Sequence, residues 1–376
     1  MSNDVMTRLY LDHNATTFMR SEAIDATTEA MHVHGNPSAQ HADGRAASGL
    51  ISTAREAVGL AMGVCAQDVI FTGGGTEADN TAVFSAWTAG CRKMLFSAAD
   101  HPATYRAAEQ WGCPHEFIPV DANGVTDVAW LEQRLSKWDE ADGRPFVSVA
   151  AANSETGVIQ PVEAVAGFVG DAGGLLLVDA VQALGKIPMT YIADYISVSA
   201  HKIGGPKGVG ALYISPDAPA QSLLCGGGQE RRRRAGTMNV AGIAGFGAAV
   251  KTLDDMTGMN ALRDALETGL KAMEPRLTVF GEHVERLPNT SFFAVPDAGS
   301  MTLMMQLDLH GISVSTGTAC SSGKVGESRT LKAMGVLDKA PKGAIRVSLG
   351  HDNTLSDINR FLSAWAKIRH KERKAA

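Results

Sequence analysis

The chain has 376 residues, of which 45% are hydrophobic and 20% are charged, and its formal net charge is −6. This length fits two joined domains, and the apolar fraction suffices for a large core, which excludes wholesale disorder. The negative net charge gives no support for a nucleic-acid or anionic-membrane binder. Glycine is abundant, at 40 residues, which favours tight backbone turns around a ligand.

The middle of the chain alternates short apolar strands with helical patterns. The predicted strands are 68–72, 93–97, 145–151, 174–178, 194–199 and 209–215. Apolar residues at helical spacing lie between several of them, as at 128–138 and 162–169. This alternation predicts an α/β fold with a mostly parallel sheet between helices. Ligands in such sheets bind at the carboxyl ends of the strands.

After about residue 250 the pattern predicts a smaller α+β region. Its elements are a helix at 260–273, two short strands, a helix near 301–309 and a closing helix at 355–369. We therefore expect a large ligand-binding domain over residues 15–250. Residues 1–14 and 251–376 are expected to form the small domain.

The chain ends and the cysteines indicate the compartment. Residues 1–14 show no apolar signal-peptide core, and no stretch approaches the ~18 apolar residues of a membrane helix. The five cysteines are widely spaced and form no C-x-x-C pair, so they fit neither a disulfide framework nor a structural zinc site. A cytoplasmic protein is expected.

Chemically distinctive residues follow three of the predicted strands. Residues 73–77 (Gly-Gly-Gly-Thr-Glu) open a helix, which favours phosphate binding by backbone N–H groups, although a simple glycine turn is the alternative. Asp179 ends a strand and Gln182 follows it; a helix cap is the alternative role for this acid. Lys202 lies between a buried strand and a glycine-rich turn, where a solvated charge is a poor explanation.

Together these residues predict pyridoxal phosphate chemistry. A lysine amine held in a cleft can form a Schiff base with the cofactor aldehyde. A nearby acid keeps the pyridine nitrogen protonated, so that the ring accepts electrons. In the C-terminal region, Cys320 is surrounded by small and polar residues, which favours a thiol presented on an exposed loop; a buried inert cysteine is the alternative.

Several long segments carry a resemblance to one family. They are residues 10–17, 35–38, 74–80, 199–202, 236–237 and the segment around Cys320. The chain resembles, nearly end to end, the cysteine desulfurases of the NifS/IscS type, which are fold-type I pyridoxal phosphate enzymes. The setting of Cys320 is similar to that in the first group of this family.

The resemblance implies a role for each matched residue. Lys202 would hold the cofactor covalently, Asp179 would pair with its pyridine nitrogen and Gln182 with its phenolic oxygen. His101 would stack on the ring and assist proton transfer; a loop histidine without a role is the alternative. The phosphate would be bound by Gly75, Thr76, Ser199, His201 and, across a homodimer interface, Thr237.

Substrate contacts are implied in the same way. Arg346 would bind the carboxylate of L-cysteine, with Asn36 nearby. The family usually has two asparagines before a glutamate, where this chain has Asn153-Ser154-Glu155. Asn153 is the candidate cofactor contact, although the expected asparagine aligns most naturally with Ser154, whose hydroxyl could donate one hydrogen bond. Asp100 stands where a glutamate is typical.

The implied reaction removes sulfur from L-cysteine, giving L-alanine and a persulfide on Cys320. The sulfur would pass to an acceptor such as an iron–sulfur scaffold; no intrinsic metal site is implied, although Cys320 could ligate a transferred iron–sulfur cluster. The alternatives are a selenocysteine lyase or other C–S lyase, an aminotransferase, and a catalytically silent subunit.

Two further clusters receive plainer interpretations. The four arginines at 231–234 are taken as a solvated charge cluster, with an active-site rim or an acceptor-docking patch as the alternative. His32, His34 and His41 lie close in sequence, but without accompanying cysteines or paired carboxylates they do not predict a metal site.

Overall fold

The computed structural model of the protein describes residues 8–317 and 328–375. Its strands are β1 (Leu9–Tyr10), β2 (Val69–Thr72), β3 (Met94–Ser97), β4 (His115–Ile118), β5 (Phe146–Ala150), β6 (Leu175–Asp179), β7 (Tyr195–Ser199), β8 (Gly210–Ile214), β9 (Thr278–Val279), β10 (Thr290–Ala294), β11 (Ile312–Ser313), β12 (Ser315–Thr316) and β13 (Ile345–Ser348). Its α-helices are α1 (Ser21–Met31), α2 (Ala42–Ala61), α3 (Gly75–Thr88), α4 (Pro102–Gln110), α5 (Val128–Leu135), α6 (Val162–Asp171), α7 (Val240–Lys251), α8 (Met259–Met273), α9 (Ser300–Leu309), α10 (Arg329–Ala333) and α11 (Leu355–Ala375).

Seven of the described strands form one sheet, in the order β2-β8-β7-β6-β5-β3-β4. The pairings from β7 to β4 are parallel, whereas β8 is antiparallel to both β7 and β2. Apolar side chains of α3 and α4 pack on one face, and those of α2, α6 and α7 pack on the other. Burial on both faces explains why the strand sequences are continuously apolar. The expected α/β fold is confirmed.

The element boundaries agree closely with the sequence patterns. The six predicted strands lie within one or two residues of β2, β3, β5, β6, β7 and β8. The helix opened by the glycine segment begins at Gly75, α5 ends at Leu135 rather than at residue 138, and α11 continues past residue 369. The sequence patterns did not predict β4. The last omission has a physical reason: β4 is an edge strand whose residues are largely exposed or half-buried, so its apolar signal is weak.

The C-terminal region forms a second core. Strands β12, β13, β10 and β9 make an antiparallel sheet, and α8, α9 and α11 pack against it. The N-terminus joins this core, because β1 pairs in parallel with β11 and the buried Leu11 follows it. The division into domains at residues 14 and 250 stays a prediction. Within the described ranges, we find no helix of the length and apolar character needed to cross a membrane.

Candidate active site

A cavity of about 500 Å³ opens at the carboxyl ends of β3, β5, β6 and β7. Its lining includes most of the residues predicted from the sequence: Gly75, Thr76, His101, Asn153, Asp179, Gln182, Ser199, His201, Lys202 and Arg346. Asn36 and Thr237 do not line it; both are exposed, and Asn36 Oδ1 accepts a hydrogen bond from the Ser38 amide at 2.9 Å. Cys320 lies outside the described residues.

The N-terminus of α3 forms one end of the cavity. Gly74 has φ 148°, a backbone conformation that favours glycine. A Cβ on Gly75 would lie 2.7 Å from Val181 Cγ2, so only glycine lets α3 approach the chain segment after β6 this closely. The unpaired N–H groups and dipole of this 14-residue helix therefore meet Ser199 and His201 at a site suited to an anion.

Part of the arginine run supports this helix start. Arg234 donates from Nε to Glu77 Oε1 at 3.0 Å, while Glu77 Oε2 accepts a hydrogen bond from the Gly73 amide at 2.7 Å. Arg231 and Arg232 are exposed, as a solvated cluster predicts, but Arg234 is not simply solvated. Its guanidinium compensates an acid that would otherwise repel a phosphate at the glycine turn.

Lys202 enters the cavity from the turn after β7. Its Nζ donates to the backbone oxygens of Asn14, at 2.6 Å, and Ala15, at 2.9 Å. These carbonyls belong to the segment that connects β1 to α1. The amine is thereby held at the strand ends, which agrees with the prediction that it is not a surface charge.

Asp179 is the last residue of β6 and is 7% exposed. Its Oδ1 accepts a hydrogen bond from the Val181 amide at 2.9 Å, so the acid also caps the turn that follows. Burial raises the pKa of Asp179, and the positive charges of His101 and Lys202 oppose that effect. A carboxyl with a raised pKa beside cationic partners can share a proton with a basic nitrogen in the cavity.

Two further carboxyls lie buried beside Asp179, and the sequence patterns did not single them out as site residues. Asp100 accepts hydrogen bonds from the Ala150 amide at 2.8 Å and the Ser148 hydroxyl at 2.9 Å, yet burial raises its pKa to about 8. Asp79 accepts from the Ser197 hydroxyl, and its pKa is raised well above the usual range by burial and by the charge of Asp179. Ionisation of one member of this group therefore opposes ionisation of the others.

His101 caps the N-terminus of α4. Its Nδ1 accepts a hydrogen bond from the Ala103 amide at 3.2 Å, which places the ring proton of the neutral form on Nε2. Burial lowers the pKa of His101, while Asp179 opposes the shift. The neutral histidine thus presents Nε2–H as a donor, while the lone pair on Nδ1 is occupied. His201, whose Nδ1 lies 3.2 Å from Thr16 Oγ1, has a pKa lowered to about 4 by burial.

Arg346 reaches the cavity from β13 of the C-terminal sheet. It donates from Nη2 to Asp12 Oδ1 at 2.7 Å and from Nη1 to the Ser154 backbone oxygen at 2.8 Å. Its side chain is 93% buried, and its buried Nε has no partner among the described atoms. Asp12 lies in segment 10–17, which carries the resemblance without implying a role for this residue. Asp12 and Ser154 hold this planar guanidinium in place, while its Nε–H still lacks an acceptor among the described atoms. Such a group is suited to bind a carboxylate ligand.

The amide of Asn153 is fully used inside the protein. Its Nδ2 donates to the Ala99 oxygen at 2.8 Å and Thr330 Oγ1 at 3.4 Å. Its Oδ1 accepts from the amides of Glu155 and Thr156, each at 2.9 Å. Asn153 therefore shapes the turn after β5, and the neighbouring Ser154 offers a cavity-lining hydroxyl that this turn presents.

Comparisons with known proteins agree with this geometry. The aminotransferase class-V family model matches residues 9–361. The chain belongs to the class-V aminotransferase family. It is 41% identical to a cysteine desulfurase of Cereibacter sphaeroides, over 96% of each chain. A NifS-like protein of known structure has a TM-score of 0.88 at 34% identity, covering 97% of this chain and 100% of its own.

A second solved structure extends the comparison. The NifS-like protein of Rickettsia africae is 32% identical, with a TM-score of 0.88 over 96% of this chain and 99% of its own. The resemblance to the NifS type and the fold that it implied are thus confirmed. These similarities concern whole chains, not the roles of individual residues.

Proposed function

We propose that the protein is a pyridoxal-phosphate-dependent cysteine desulfurase. One observation carries the proposal: the amine of Lys202, the buried Asp179 and the glycine-opened N-terminus of α3 meet in one cavity. They do so in a chain that is 41% identical to a cysteine desulfurase over nearly its whole length. The class-V family is one of pyridoxal phosphate enzymes, which makes this cofactor the natural ligand of the cavity.

The residues present fit the cofactor at three points. The start of α3, with Gly75 and Thr76, would hold the phosphate; a Cβ on Gly75 would lie 2.7 Å from Val181 Cγ2 and disturb this start. Asp179 would keep the pyridine nitrogen protonated, and Lys202 would supply the amine for the aldehyde. The hydrogen-bonding groups of the Asn153 amide are already occupied within the protein. We therefore assign the polar contact with the cofactor to the Ser154 hydroxyl rather than to Asn153.

The bound cofactor supplies an electron sink that weakens bonds at the substrate Cα. The Lys202 amine would be the base that moves the proton at the substrate Cα. His101 can donate a proton from Nε2, since the lone pair on its Nδ1 is occupied by the Ala103 amide. Arg346 orients the substrate by binding its carboxylate with the part of the guanidinium that Asp12 and Ser154 leave open.

Sulfur transfer requires a thiol, and we assign this step to Cys320. Its thiolate attacks the substrate sulfur: the S–S bond forms, the Cβ–S bond breaks, and the electron pair stays with Cβ. Cβ then takes up a proton, and the return of a proton from Lys202 to Cα completes L-alanine. The persulfide would then be passed to an acceptor such as an iron–sulfur scaffold protein.

We also propose a homodimer, in which Thr237 of the partner subunit would complete the phosphate site.

The test is alanine formation from L-cysteine in the presence of a reductant, compared between the native protein and Cys320→Ala. We expect alanine from the native protein, none from the variant, and the same cofactor absorbance in both. Equal alanine from both proteins would replace the desulfurase with a lyase that needs no thiol. Bound cofactor without alanine from either would favour another class-V reaction, such as transamination with a keto acid.

A further inference from the structure

A lysine outside the predicted site residues lies directly behind Gln182. After β6 the chain makes successive helical turns, with the Leu184 amide bonded to the Ala180 oxygen and the Lys186 amide to the Ala183 oxygen. Gln182 and Lys186 are four residues apart in these turns, and Gly185 between them has φ 73°, so their contact depends on the local fold of the turns rather than on a regular helix face.

The ammonium of Lys186 points inward onto two amides. Its Nζ donates to Gln182 Oε1 at 2.7 Å and to Asn14 Oδ1 at 3.0 Å, and both of these residues are buried. No ion pair of Lys186 occurs within the described ranges. Burial lowers its pKa well below the ordinary value, and the charges of Lys202 and Arg346 add to the effect. Burying a positive charge without a neighbouring carboxylate costs free energy. This cost indicates that Lys186 has a specific role at its position.

The hydrogen-bonding capacity of an ammonium explains what it does there. Nζ donates to both amides, so each amide turns its oxygen towards it. Gln182 is then obliged to point Nε2 the other way, where it donates to the Asn14 backbone oxygen at 2.9 Å. That same oxygen accepts from Lys202 Nζ at 2.6 Å. The amide donor of Gln182 is thus presented beside the amine of Lys202, at the cavity.

The Asn14 side chain shows the same consequence. Its Oδ1 accepts from Lys186 and from Asn289 Nδ2 at 3.2 Å, which leaves Nδ2 to donate to Thr290 Oγ1 at 2.8 Å. Lys186 therefore orients two amides, that of Gln182 in the turns after β6 and that of Asn14, which contacts the C-terminal sheet.

We propose that Lys186 is a positioning residue that locks the amide orientation of Gln182, so that Nε2 is the group offered to the bound cofactor. This inference rests on the proposed function, because the phenolic oxygen of pyridoxal phosphate is the acceptor that would use the donor. Without the ammonium, the amide of Gln182 could rotate and present its oxygen to an oxyanion, which would be repulsive.

A double-mutant cycle on cofactor affinity tests this role. The dissociation constant of pyridoxal phosphate is measured by equilibrium dialysis of the holoprotein for the native chain, Lys186→Met, Gln182→Ala and the double variant. We expect each single variant to bind the cofactor roughly 10- to 100-fold more weakly, the range for one hydrogen bond to a charged group. The double variant should be no weaker than Gln182→Ala, because Lys186 acts through Gln182.

A spectroscopic readout separates positioning from general structural support. Both single variants should shift the visible absorption maximum of the bound cofactor in the same direction, since both remove a donor from its phenolic oxygen. Lys251→Met, at the exposed end of α7, is the matched control and should change neither affinity nor spectrum. If Lys186→Met does not fold, Lys186→Gln keeps one neutral donor and should give a smaller loss.

Additive losses in the double variant, or a native spectrum in Lys186→Met, would overturn the inference while the proposed function stands. Failure of the native protein to bind pyridoxal phosphate at all would instead remove the proposed function itself. The two failures are therefore distinguishable in one set of measurements.

Discussion

The two sides of the cavity are built in different ways. One side, the strand-end wall (His101, Asp179 and Lys202), comes from residues at the carboxyl ends of β3, β6 and β7, which run parallel in the large sheet. The other side, the arginine wall (Asp12, Ser154 and Arg346), is joined across hundreds of residues of sequence, from the N-terminus to β13. The first wall follows from sheet topology, whereas the second exists only after the C-terminal region has packed against the large sheet.

Their electrostatics differ as well. In the strand-end wall and the buried Asp79 and Asp100 beside it, burial raises the pKa of the three carboxyls and lowers the pKa of His101. In the arginine wall, Arg346 Nη2 and Asp12 Oδ1 form an ion pair at 2.7 Å. We infer that the two walls have different roles. The strand-end wall holds and transfers protons, and the arginine wall provides a fixed positive charge that binds a carboxylate.

The largest expected effect comes from breaking the arginine wall. Arg346→Ala should lower kcat/KM for L-cysteine by roughly 100-fold or more, the cost of removing one partner of a buried charge pair. The loss has two causes. The substitution removes the group that binds the substrate carboxylate, and it leaves the negative charge of Asp12 uncompensated. Steady-state kinetics of alanine formation measure it.

The companion variant Arg346→Ala/Asp12→Asn separates these causes. Removing the repulsion should recover part of the lost kcat/KM, whereas Asp12→Asn alone should have the smaller effect. Cofactor absorbance should stay native in all three variants, because the strand-end wall holds the cofactor. Loss of that absorbance in Arg346→Ala would show that the two walls are not separable.

The same contrast explains how much the sequence could predict. Strand ends, helix starts and the glycine turn are local patterns, so Asp179, Lys202 and the start of α3 could be identified from residues close in sequence. The Arg346–Asp12 pair joins positions 334 residues apart, and no local pattern encodes it. The role of Arg346 was implied by resemblance, and its partner Asp12 appears only in the structure.

Burial was the other quantity that residue patterns could not supply. The raised pKa values of Asp79 and Asp100 arise from packing around their side chains. Asn153 illustrates the reverse case: sequence makes it a candidate ligand, but the structure uses its whole amide within a turn. Whether a polar group is still available for a ligand depends on its neighbours in space.

An intermediate effect is expected at the glycine turn. Gly75→Ala places a Cβ 2.7 Å from Val181 Cγ2 and must shift α3 away from the strand-end wall. Cofactor affinity should fall by roughly tenfold, as expected for the loss of one or two phosphate hydrogen bonds. Equilibrium dialysis of the cofactor measures the change, and kcat/KM at saturating cofactor should alter much less.

Gly49→Ala is the matched control for this substitution. Gly49 lies inside α2, and a Cβ added there would meet nothing within 4 Å, so alanine should stabilise the protein by about 0.5–1 kcal/mol without changing cofactor binding. Native affinity in Gly75→Ala would mean that the close approach of α3 is not needed for the phosphate.

The smallest effect, and the most specific to the strand-end wall, concerns Asp100. Burial raises its folded-state pKa to about 8, against about 3.9 for an unfolded aspartate. Between these values the folded state binds the proton and the unfolded state does not, so this group makes stability fall as the pH rises. Asp100→Asn removes the proton but can still accept from the Ala150 amide and donate to the Ser148 hydroxyl.

The variant should therefore gain stability relative to the native protein between about pH 5 and 8, by at most about 1.4 kcal/mol per pH unit, the slope for one proton. Denaturant unfolding at several pH values measures the difference. A difference for Asp100→Asn that does not change with pH would mean that this carboxyl is ionised throughout. The buried negative charge would then have to be carried by Asp100 itself, and the proton on the strand-end wall would reside on Asp79 or Asp179 instead.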